Sequence, residues 1–232
     1  MEIQILHRIP GAQAATGIAV IIDVFRAMTV ETYLMRNHAE RIIPVGDVQI
    51  AFDYKEKHPD AVLCGERGGV IIEGFDYGNS PSQLEGVDLS GKTVVHTTSA
   101  GTQGIANAHQ ADEIITGSLV NAQAIVDYIR AKNPKTVSLV CMGLGAKSEA
   151  HEDTLCAEYI KSLLENNPMP DLWERIEGLK KTTGAKFFDP ARQSVFPQRD
   201  FELSTDVNSV PFVLKVEKDP TDGLTRVIRI DV

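Results

Sequence analysis

Short runs of β-branched and aliphatic residues alternate along this chain with segments in which apolar residues recur every three to four positions. The run IAVIID (residues 18–23) is typical of a buried strand, and AMTVETYLMRN (27–37) has the spacing of a following helix. Similar strand-like runs are ERIIPVG, AVLCGE, KTVVHTT, DEIITGS and TVSLVCMG. Helix-like segments between them are VQIAFDYKEKH, GTQGIANAHQ, LVNAQAIVDYIRAK and EDTLCAEYIKSLLEN. This alternation predicts an α/β fold with a mixed, mostly parallel sheet flanked by helices on both faces.

The chain changes character after residue 166. Prolines become frequent, and one helical segment, LWERIEGLKK, is not followed directly by a strand-like run. The runs VPFVLKVE and LTRVIRID, separated by KDPTDG, predict a C-terminal antiparallel β-hairpin, which we expect at the edge of the sheet. We therefore divide the chain into an α/β core (1–166) that carries the candidate site and a C-terminal extension (167–232) packed on the core. One continuous domain is the alternative.

Composition and charge limit the classes of function. The chain has 232 residues, of which 43% are hydrophobic, 24% charged and 6% aromatic, as in ordinary globular proteins. Its net charge of −9 argues against nucleic acid or an anionic membrane as a partner. The three cysteines, Cys64, Cys141 and Cys156, lack CxxC spacing, so we predict no disulfide framework and no zinc site, and we expect a cytoplasmic protein.

Polar residues follow most of the predicted strands. Ligands of open α/β sheets bind beyond the carboxyl ends of the strands, so these residues are the candidates for chemistry. They are Asp23 and Arg26 after the first run, Gly65, Glu66 and Arg67 after AVLC, His96, Thr97, Thr98 and Ser99 after KTVV, Ser118 after IIT, and Glu149, Glu152 and Asp153 after TVSLVCMG. If these strand ends share one edge, carboxylates, arginines and hydroxyl groups meet there.

This set of residue types indicates phosphoryl chemistry. Mg²⁺ prefers oxygen ligands and often bridges carboxylates to a substrate phosphate. Arginine side chains and glycine-rich loops that precede helices suit oxyanions, because guanidinium groups and exposed N–H groups donate to their oxygens. A substrate that carries phosphate could thus bind to this acidic chain through cations within the site.

Each candidate also has a purely structural interpretation. Asp23 could cap a helix, and Arg67 could pair with Glu66 or Glu73 on the surface. Glu152 and Asp153 could simply favour the positive end of a helix dipole. The sequence CMGLGAKS resembles the C-x5-R loop of cysteine phosphatases, but Lys147 stands in the arginine position and cannot make the same two-pronged contact. We therefore favour a buried structural role for Cys141 over a nucleophilic one.

Six segments taken in order resemble one known family. They are DVFRAMTV, GERGG, GFDYGNSP, TTSAGT, GSLVNA and EDTLCAEYI, and they resemble the 2-phosphosulfolactate phosphatase family. The resemblance implies a Mg²⁺-dependent hydrolase that converts 2-phospho-3-sulfolactate to 3-sulfolactate and phosphate, a step toward coenzyme M, on an α/β fold that forms homodimers. One position differs, because Ala100 stands where members of the family have an asparagine in TTNGT.

From the residues and the resemblance together we derive a hypothesis for the site. The predicted catalytic residues are Asp23, Arg26, Glu66 and Arg67, and the predicted metal ligands are Asp23, Glu66, Glu149, Glu152 and Asp153. The predicted substrate-binding residues are Gly68, Gly69, Asn79, Ser80, Thr97, Thr98, Ser99, Gly101, Thr102, Ser118 and Asn121. Two rival functions stay open: a non-catalytic sensor of a phosphorylated or sulfonated metabolite, and a phosphatase for a different 2-phospho acid.

Overall fold

A computed structural model describes all residues, 1–232, and contains a single ten-stranded sheet. Its strands are β1 (Glu2–His7), β2 (Ile18–Ile22), β3 (Arg41–Pro44), β4 (Val62–Arg67), β5 (Val70–Ile71), β6 (Thr93–Thr97), β7 (Glu113–Gly117), β8 (Thr136–Cys141), β9 (Phe212–Lys218) and β10 (Thr225–Asp231). Its α-helices are α1 (Arg8–Ala14), α2 (Ala27–Arg36), α3 (Val48–Lys57), α4 (Gly101–Asn107), α5 (Ala122–Lys132), α6 (His151–Leu164), α7 (Leu172–Leu179) and α8 (Gln198–Ser204).

The predicted elements and fold class are confirmed. Every strand-like run and every helix-like segment named above corresponds to a strand or a helix. The elements β1, β5, α1 and α8 have no counterpart among the predictions. No helix has the length and apolar character needed to cross a bilayer.

Strand β2 shows how helices cover both faces of the sheet. Alternate side chains of a strand point to opposite faces. Ile18, Val20 and Ile22 pack in the largest core cluster with residues of α5, α6 and α7. Ala19 and Ile21 pack in a second cluster with residues of α1, α2 and α4. The whole strand is buried, which is why its sequence is apolar without alternation.

The sheet consists of two parallel halves joined by the C-terminal hairpin. The strand order is β1-β8-β2-β7-β9-β10-β3-β6-β4-β5. Strands β1, β8, β2 and β7 are parallel to one another and form the first half. Strands β3, β6 and β4 are parallel and form the core of the second half. Because β9 and β10 pair antiparallel with each other and with their outer neighbours, the two halves run in opposite directions.

The expected position of the hairpin at the sheet edge is wrong. Strands β9 and β10 lie at the centre, between β7 and β3. Val213 packs in one core cluster, whereas Phe212 and Leu214 pack in another, so both faces of β9 are buried. Residues 1–166 and 167–232 therefore both contribute strands to one sheet. A hairpin pattern cannot reveal this, since it fits an edge and a central position equally well.

Strand twist and helix crossovers bring the carboxyl ends of the two halves together. Neighbouring strands of a sheet are typically rotated by about 20–25°, and five such steps, the number from β2 to β6, amount to roughly 100–125°. A flat sheet would place the carboxyl ends of the two halves at opposite edges. A twist of this size turns those ends toward each other. Helix α4, which follows β6 of the second half, packs on α1 and β2 of the first half. Helix α2, which follows β2, packs on β3 of the second half.

Candidate active site

A cavity of about 890 Å³ lies where the two halves of the sheet meet. Its walls come from the residues that follow β2, β4 and β6, from loop 143–148 after β8, and from the start of α6. The C-terminal extension closes one side with Lys186, Arg192 and Phe196.

Most of the predicted site residues line this cavity. They are Asp23, Arg26, Glu66, Arg67, Gly68, Gly69, Asn79, Thr98, Ser99, Glu152 and Asp153. Ala100, at which the sequence departs from the motif of the family it resembles, also lines it. The cavity therefore collects carboxylates, cations and hydroxyl groups from segments that are far apart in the sequence.

Other predicted residues do not line the cavity. They are Ser80, Thr97, Gly101, Thr102, Ser118, Asn121 and Glu149. Ser118 and Asn121 are fully buried and cap the turn that precedes α5. Glu149 is exposed. The sequence pattern places such residues at strand ends but does not tell which way each side chain points.

The remaining hydroxyl and glycine residues of this group support the cavity from behind. Thr102 exchanges hydrogen bonds with Thr98, and Ser80 donates to Asp200. A Cβ on Gly101 would lie 2.6 Å from a methyl carbon of Met28 and 3.1 Å from Oδ2 of Asp23. Glycine at position 101 thus permits the start of α4 to approach Asp23 closely.

Asp23 directly follows β2 and has a strongly perturbed carboxylate. Its Oδ1 accepts a hydrogen bond of 3.2 Å from the backbone N–H of Ala27, so it also contributes to the start of α2. Burial raises the pKa of Asp23 to about 7; the bond from Ala27 opposes this rise, and repulsion by Glu66 and Glu152 adds to it. Oδ2 of Asp23 accepts no hydrogen bond from the protein, and it is the atom left for a ligand.

Asp153 and Glu152 extend the acidic side of the cavity. The Asp153 carboxylate accepts from the N–H of Val24 at 2.9 Å and of Gly143 at 2.8 Å, so it links the segments after β2 and β8. Burial, followed by repulsion from Asp23, raises the pKa of Asp153. Burial also raises the pKa of Glu152, which accepts a hydrogen bond from the Thr183 hydroxyl. These carboxylates destabilise one another as anions, so a bound cation would relieve their repulsion.

Glu66 holds two loops together. Its carboxylate accepts from the N–H of Gly69 at 2.6 Å, from the N–H of Ser99 at 2.6 Å and from the Ser99 hydroxyl at 3.1 Å. The N–H of Gly68 donates to Ser99 Oγ at 3.3 Å. The loop N–H groups that we expected to bind an oxyanion are therefore used inside the protein, and they fix the GERGG loop against TTSAGT.

Arg26 connects the cavity to the C-terminal extension. Its guanidinium lies 2.6 Å from the Asp200 carboxylate, and both side chains are buried. It also donates to the carbonyl groups of Val195 and Gly69 and stacks 4.8 Å from the centre of the Phe196 ring. Since Asp200 already compensates its charge, Arg26 anchors the extension more directly than it attracts an anion.

Four cationic residues at the cavity form no salt bridge: Arg67, Lys147, Lys186 and Arg192. Arg67 donates to the carbonyl groups of Glu66 and Gly46 and to Thr97 Oγ1, so its predicted pairing with a carboxylate of Glu66 or Glu73 is wrong. Burial lowers the pKa of Lys186, an effect that Glu152 opposes. These cations are the groups available to an anionic ligand.

Sequence reasoning missed Lys186 and Arg192. Neither residue follows a predicted strand, because both belong to short 3₁₀-helical turns of the extension. The available signal was the interleaving of basic and aromatic residues in AKFFDPARQSVF. In the structure, Lys186 Nζ lies 5.3 Å from the Phe187 ring centre and 5.2 Å from that of Phe196.

The carboxylates fit Mg²⁺ in donor chemistry but do not form a ready-made metal cage. No group of three His, Cys, Asp or Glu side chains in the chain is arranged to hold a metal ion. Mg²⁺ in phosphoryl-transfer sites is typically held by one or two carboxylates together with waters and substrate phosphate oxygens. Asp23, with its free Oδ2, can supply such a carboxylate, and so can Glu152 and Asp153. The raised pKa values of all three show that they are destabilised as anions and would favour a bound cation. The three donors of Glu66 make it a poorer ligand.

Cys141 is a buried residue at the end of β8. It is 2% exposed, and it does not line the cavity. Burial raises the pKa of its thiol above its usual range. A thiol without access to the cavity and with little thiolate cannot attack a phosphate there, so the structure favours the buried interpretation of Cys141.

Comparisons with known proteins give consistent descriptions. A sequence model of the family described as 2-phosphosulpholactate phosphatase matches residues 3–217. A protein of Bacillus subtilis (strain 168) named "Probable 2-phosphosulfolactate phosphatase" is 31% identical over 208 residues, which are 89% of this chain and 90% of that protein. Proteins with the same name from Caldicellulosiruptor saccharolyticus and Carboxydothermus hydrogenoformans are 40% and 41% identical. Those two matches cover 67% and 62% of this chain and 65% and 59% of the relatives.

Proposed function

We propose a function from one premise: this chain belongs to the 2-phosphosulfolactate phosphatase family, a family of phosphoric monoester hydrolases. The proposed reaction is hydrolysis of the phosphate ester of a small anionic acid. We assign 2-phospho-3-sulfolactate as the substrate and 3-sulfolactate and phosphate as the products. The observation that carries the proposal is the cavity in which Asp23, Glu152 and Asp153 lie together with cations that have no carboxylate partner.

The proposed cofactor is Mg²⁺. Asp23, Glu152 and Asp153 would hold it, because their burial and mutual repulsion favour a cation among them. When bound, the metal supplies positive charge to the phosphate oxygens and acidifies a coordinated water.

Side chains of the protein itself supply the remaining requirements of hydrolysis. In this proposal Arg67 and Lys186, which line the cavity without a carboxylate partner, bind phosphate oxygens, and Glu66 keeps the Arg67 loop in position. In the reaction an oxygen of water forms a bond to phosphorus while the water gives up a proton, the ester P–O bond breaks, and the leaving alkoxide oxygen of the acid takes up a proton to become a hydroxyl group. Asp23, with a pKa of about 7 in the metal-free protein, is suited either to hold the metal or to exchange that proton.

The cellular context of the reaction is also part of the proposal. The family resemblance supports a role of the product in coenzyme M formation and a homodimeric protein. The three free and buried cysteines support a reducing, cytoplasmic compartment.

Ala100 favours one alternative within the same chemistry. It is 4% exposed and lines the cavity at the position where members of the family have an asparagine side chain. Loss of an amide at a substrate-facing position changes the polar contacts available, so a different 2-phospho acid is the second candidate substrate.

Phosphate release by the purified protein tests the proposal. The substrates are 2-phospho-3-sulfolactate, phospholactate, phosphoglycolate and 3-phosphoglycerate, each with Mg²⁺ and with EDTA. We expect metal-dependent release that is selective for the sulfonate. Selectivity for another ester would keep the mechanism and change the substrate, and binding without release would support the sensor function.

A further inference from the structure

A fully buried polar pair extends from the inside of α2 to the cavity. Oε1 of Glu31 lies 3.0 Å from Nδ1 of His96, and both side chains have 0% exposure. Nε2 of His96 lies 3.4 Å from Oδ1 of Asn79. Asn79 lines the cavity and can contact a ligand there, whereas Glu31 and His96 do not line it.

The protons on this pair determine which end of the Asn79 amide faces the cavity. A carboxylate and an imidazolium place a proton on Nε2 of His96, and so do a protonated Glu31 and a neutral imidazole that accepts from it. In both cases Nε2 donates to Oδ1 of Asn79, and the Nδ2 amino group is directed away from His96. Only an ionised Glu31 beside a neutral histidine leaves Nε2 without a proton, and that state would require the amide to face the other way.

The pair is buried without a cation beside it. Neither residue has a lysine or arginine partner, and Oε2 of Glu31 accepts no hydrogen bond. Another titratable group close to Glu31 is the Cys64 thiol, which donates to the carbonyl of Gly78 and carries no positive charge. A net negative charge here would be buried without compensation, which is strongly unfavourable. Oδ1 of Asn79 faces Nε2 of His96 at 3.4 Å, which is the orientation that a proton on Nε2 favours.

We propose that Glu31 and His96 are positioning residues that orient Asn79 so that its amino group donates to an oxyanion of the ligand in the cavity. This inference rests on the proposed function only for the identity of the ligand, a phosphate ester. The reverse orientation would present a carbonyl oxygen to the anion and repel it. The pair thus decides whether position 79 favours or opposes anion binding.

The first test reads the proton directly and does not depend on catalysis. In protein labelled with ¹⁵N-histidine, we expect the His96 signal to show a proton bonded to Nε2 that exchanges slowly with water. The His96 signal among the six histidines is assigned by its absence in a His96→Leu variant. An Nε2 without a proton would overturn the inference.

The second test reads the orientation of Asn79 from the sign of a change in binding. Inorganic phosphate, in the presence of Mg²⁺, is titrated into the wild-type protein and into Asn79→Leu, which removes both polar ends of the amide. We expect the dissociation constant to rise about 10- to 100-fold, the range for one hydrogen bond to a charged group. An unchanged or tighter dissociation constant would mean that no donor faced the anion and would overturn the inference.

A double variant separates positioning from a merely structural role. Glu31→Met combined with His96→Leu replaces the pair by apolar groups, which buried ion pairs often tolerate without loss of stability. We expect phosphate binding to weaken about 3- to 10-fold, because Asn79 then keeps its donor but loses its fixed orientation. Unchanged binding in the folded variant would contradict the positioning role. If this variant did not fold, the signal of His96 and the Asn79→Leu variant would decide.

These measurements distinguish failure of the inference from failure of the proposed function. A wild-type protein that bound no phosphate but kept the Nε2 proton would contradict the proposed function and the ligand assigned to Asn79. A protein that released phosphate from the esters but lacked the Nε2 proton would contradict only the inference.

Discussion

Asp23 and Glu66 are two buried carboxylates on the same cavity, and their surroundings differ. Asp23, at the end of β2, has one backbone donor and a pKa raised to about 7. Glu66, in β4, accepts three hydrogen bonds from two loops. Ionised Asp23 therefore lowers the stability of the metal-free protein, whereas the hydrogen bonds that Glu66 accepts hold two loops together. The comparison indicates that the number of local donors separates a reactive carboxylate from one that supports the site.

The largest expected effect is on activity and concerns Asp23. Asp23→Asn should lower turnover at least ~10²-fold, the scale for loss of one preorganised electrostatic group. The same variant should melt at a higher temperature than the wild type in EDTA at pH 8, because an amide carries no charge to bury. Steady-state kinetics and thermal unfolding check the two parts. Asp60→Asn, the same change at an exposed position, is the matched control. Wild-type turnover in Asp23→Asn would remove Asp23 from the mechanism.

The next effect is the dependence of stability on pH without metal. Folding raises the pKa of Asp23 from 3.8 to about 7, so between these values the folded state holds a proton that the unfolded state has lost. The free energy of unfolding should therefore fall by on the order of a few kcal/mol as pH rises through this window. It should level off above pH 7. Asp153 and Glu152 act in the same direction, since burial also raises their pKa values.

Thermal unfolding in EDTA between pH 5 and pH 8 measures this dependence. The slope should be smaller in Asp23→Asn, and Mg²⁺ should raise the melting temperature most at the higher pH, because cation binding needs ionised carboxylates. If the melting temperatures of the wild type and Asp23→Asn changed equally with pH, the raised pKa of Asp23 would be contradicted.

The smallest expected effect concerns Glu66 and has the opposite sign. Glu66→Gln replaces charge-assisted hydrogen bonds by neutral ones and directs an amino group at the N–H of Gly69 or Ser99. The free energy of unfolding should fall by about 2 kcal/mol, with a lower melting temperature at pH 8. Thermal unfolding of Glu73→Gln, an exposed glutamate in the same segment, is the control. A Glu66→Gln variant as stable as the wild type would show that Glu66 does not brace the loops.

Much of the site was predictable because strand ends are local features. The run that forms β2 leads directly to Asp23, and the run that forms β4 leads to Glu66 and Arg67. The role of Glu66 was not predictable, since its partner Ser99 is 33 positions away in the sequence. Lys186 was missed for a related reason: the extension meets the cavity through the Arg26–Asp200 pair, whose members are 174 positions apart.

The sequence by itself determined the α/β class, most of the strands and helices, and the family of this protein. These follow from periodicities and motifs within short segments, where neighbouring residues share the same local geometry. Only the tertiary structure decided that the hairpin β9–β10 lies at the centre, that two opposed halves of a twisted sheet meet at one cavity, and which carboxylates receive donors there. The physical reason is that strand order, side-chain direction and desolvation depend on contacts between distant segments, which no local pattern specifies.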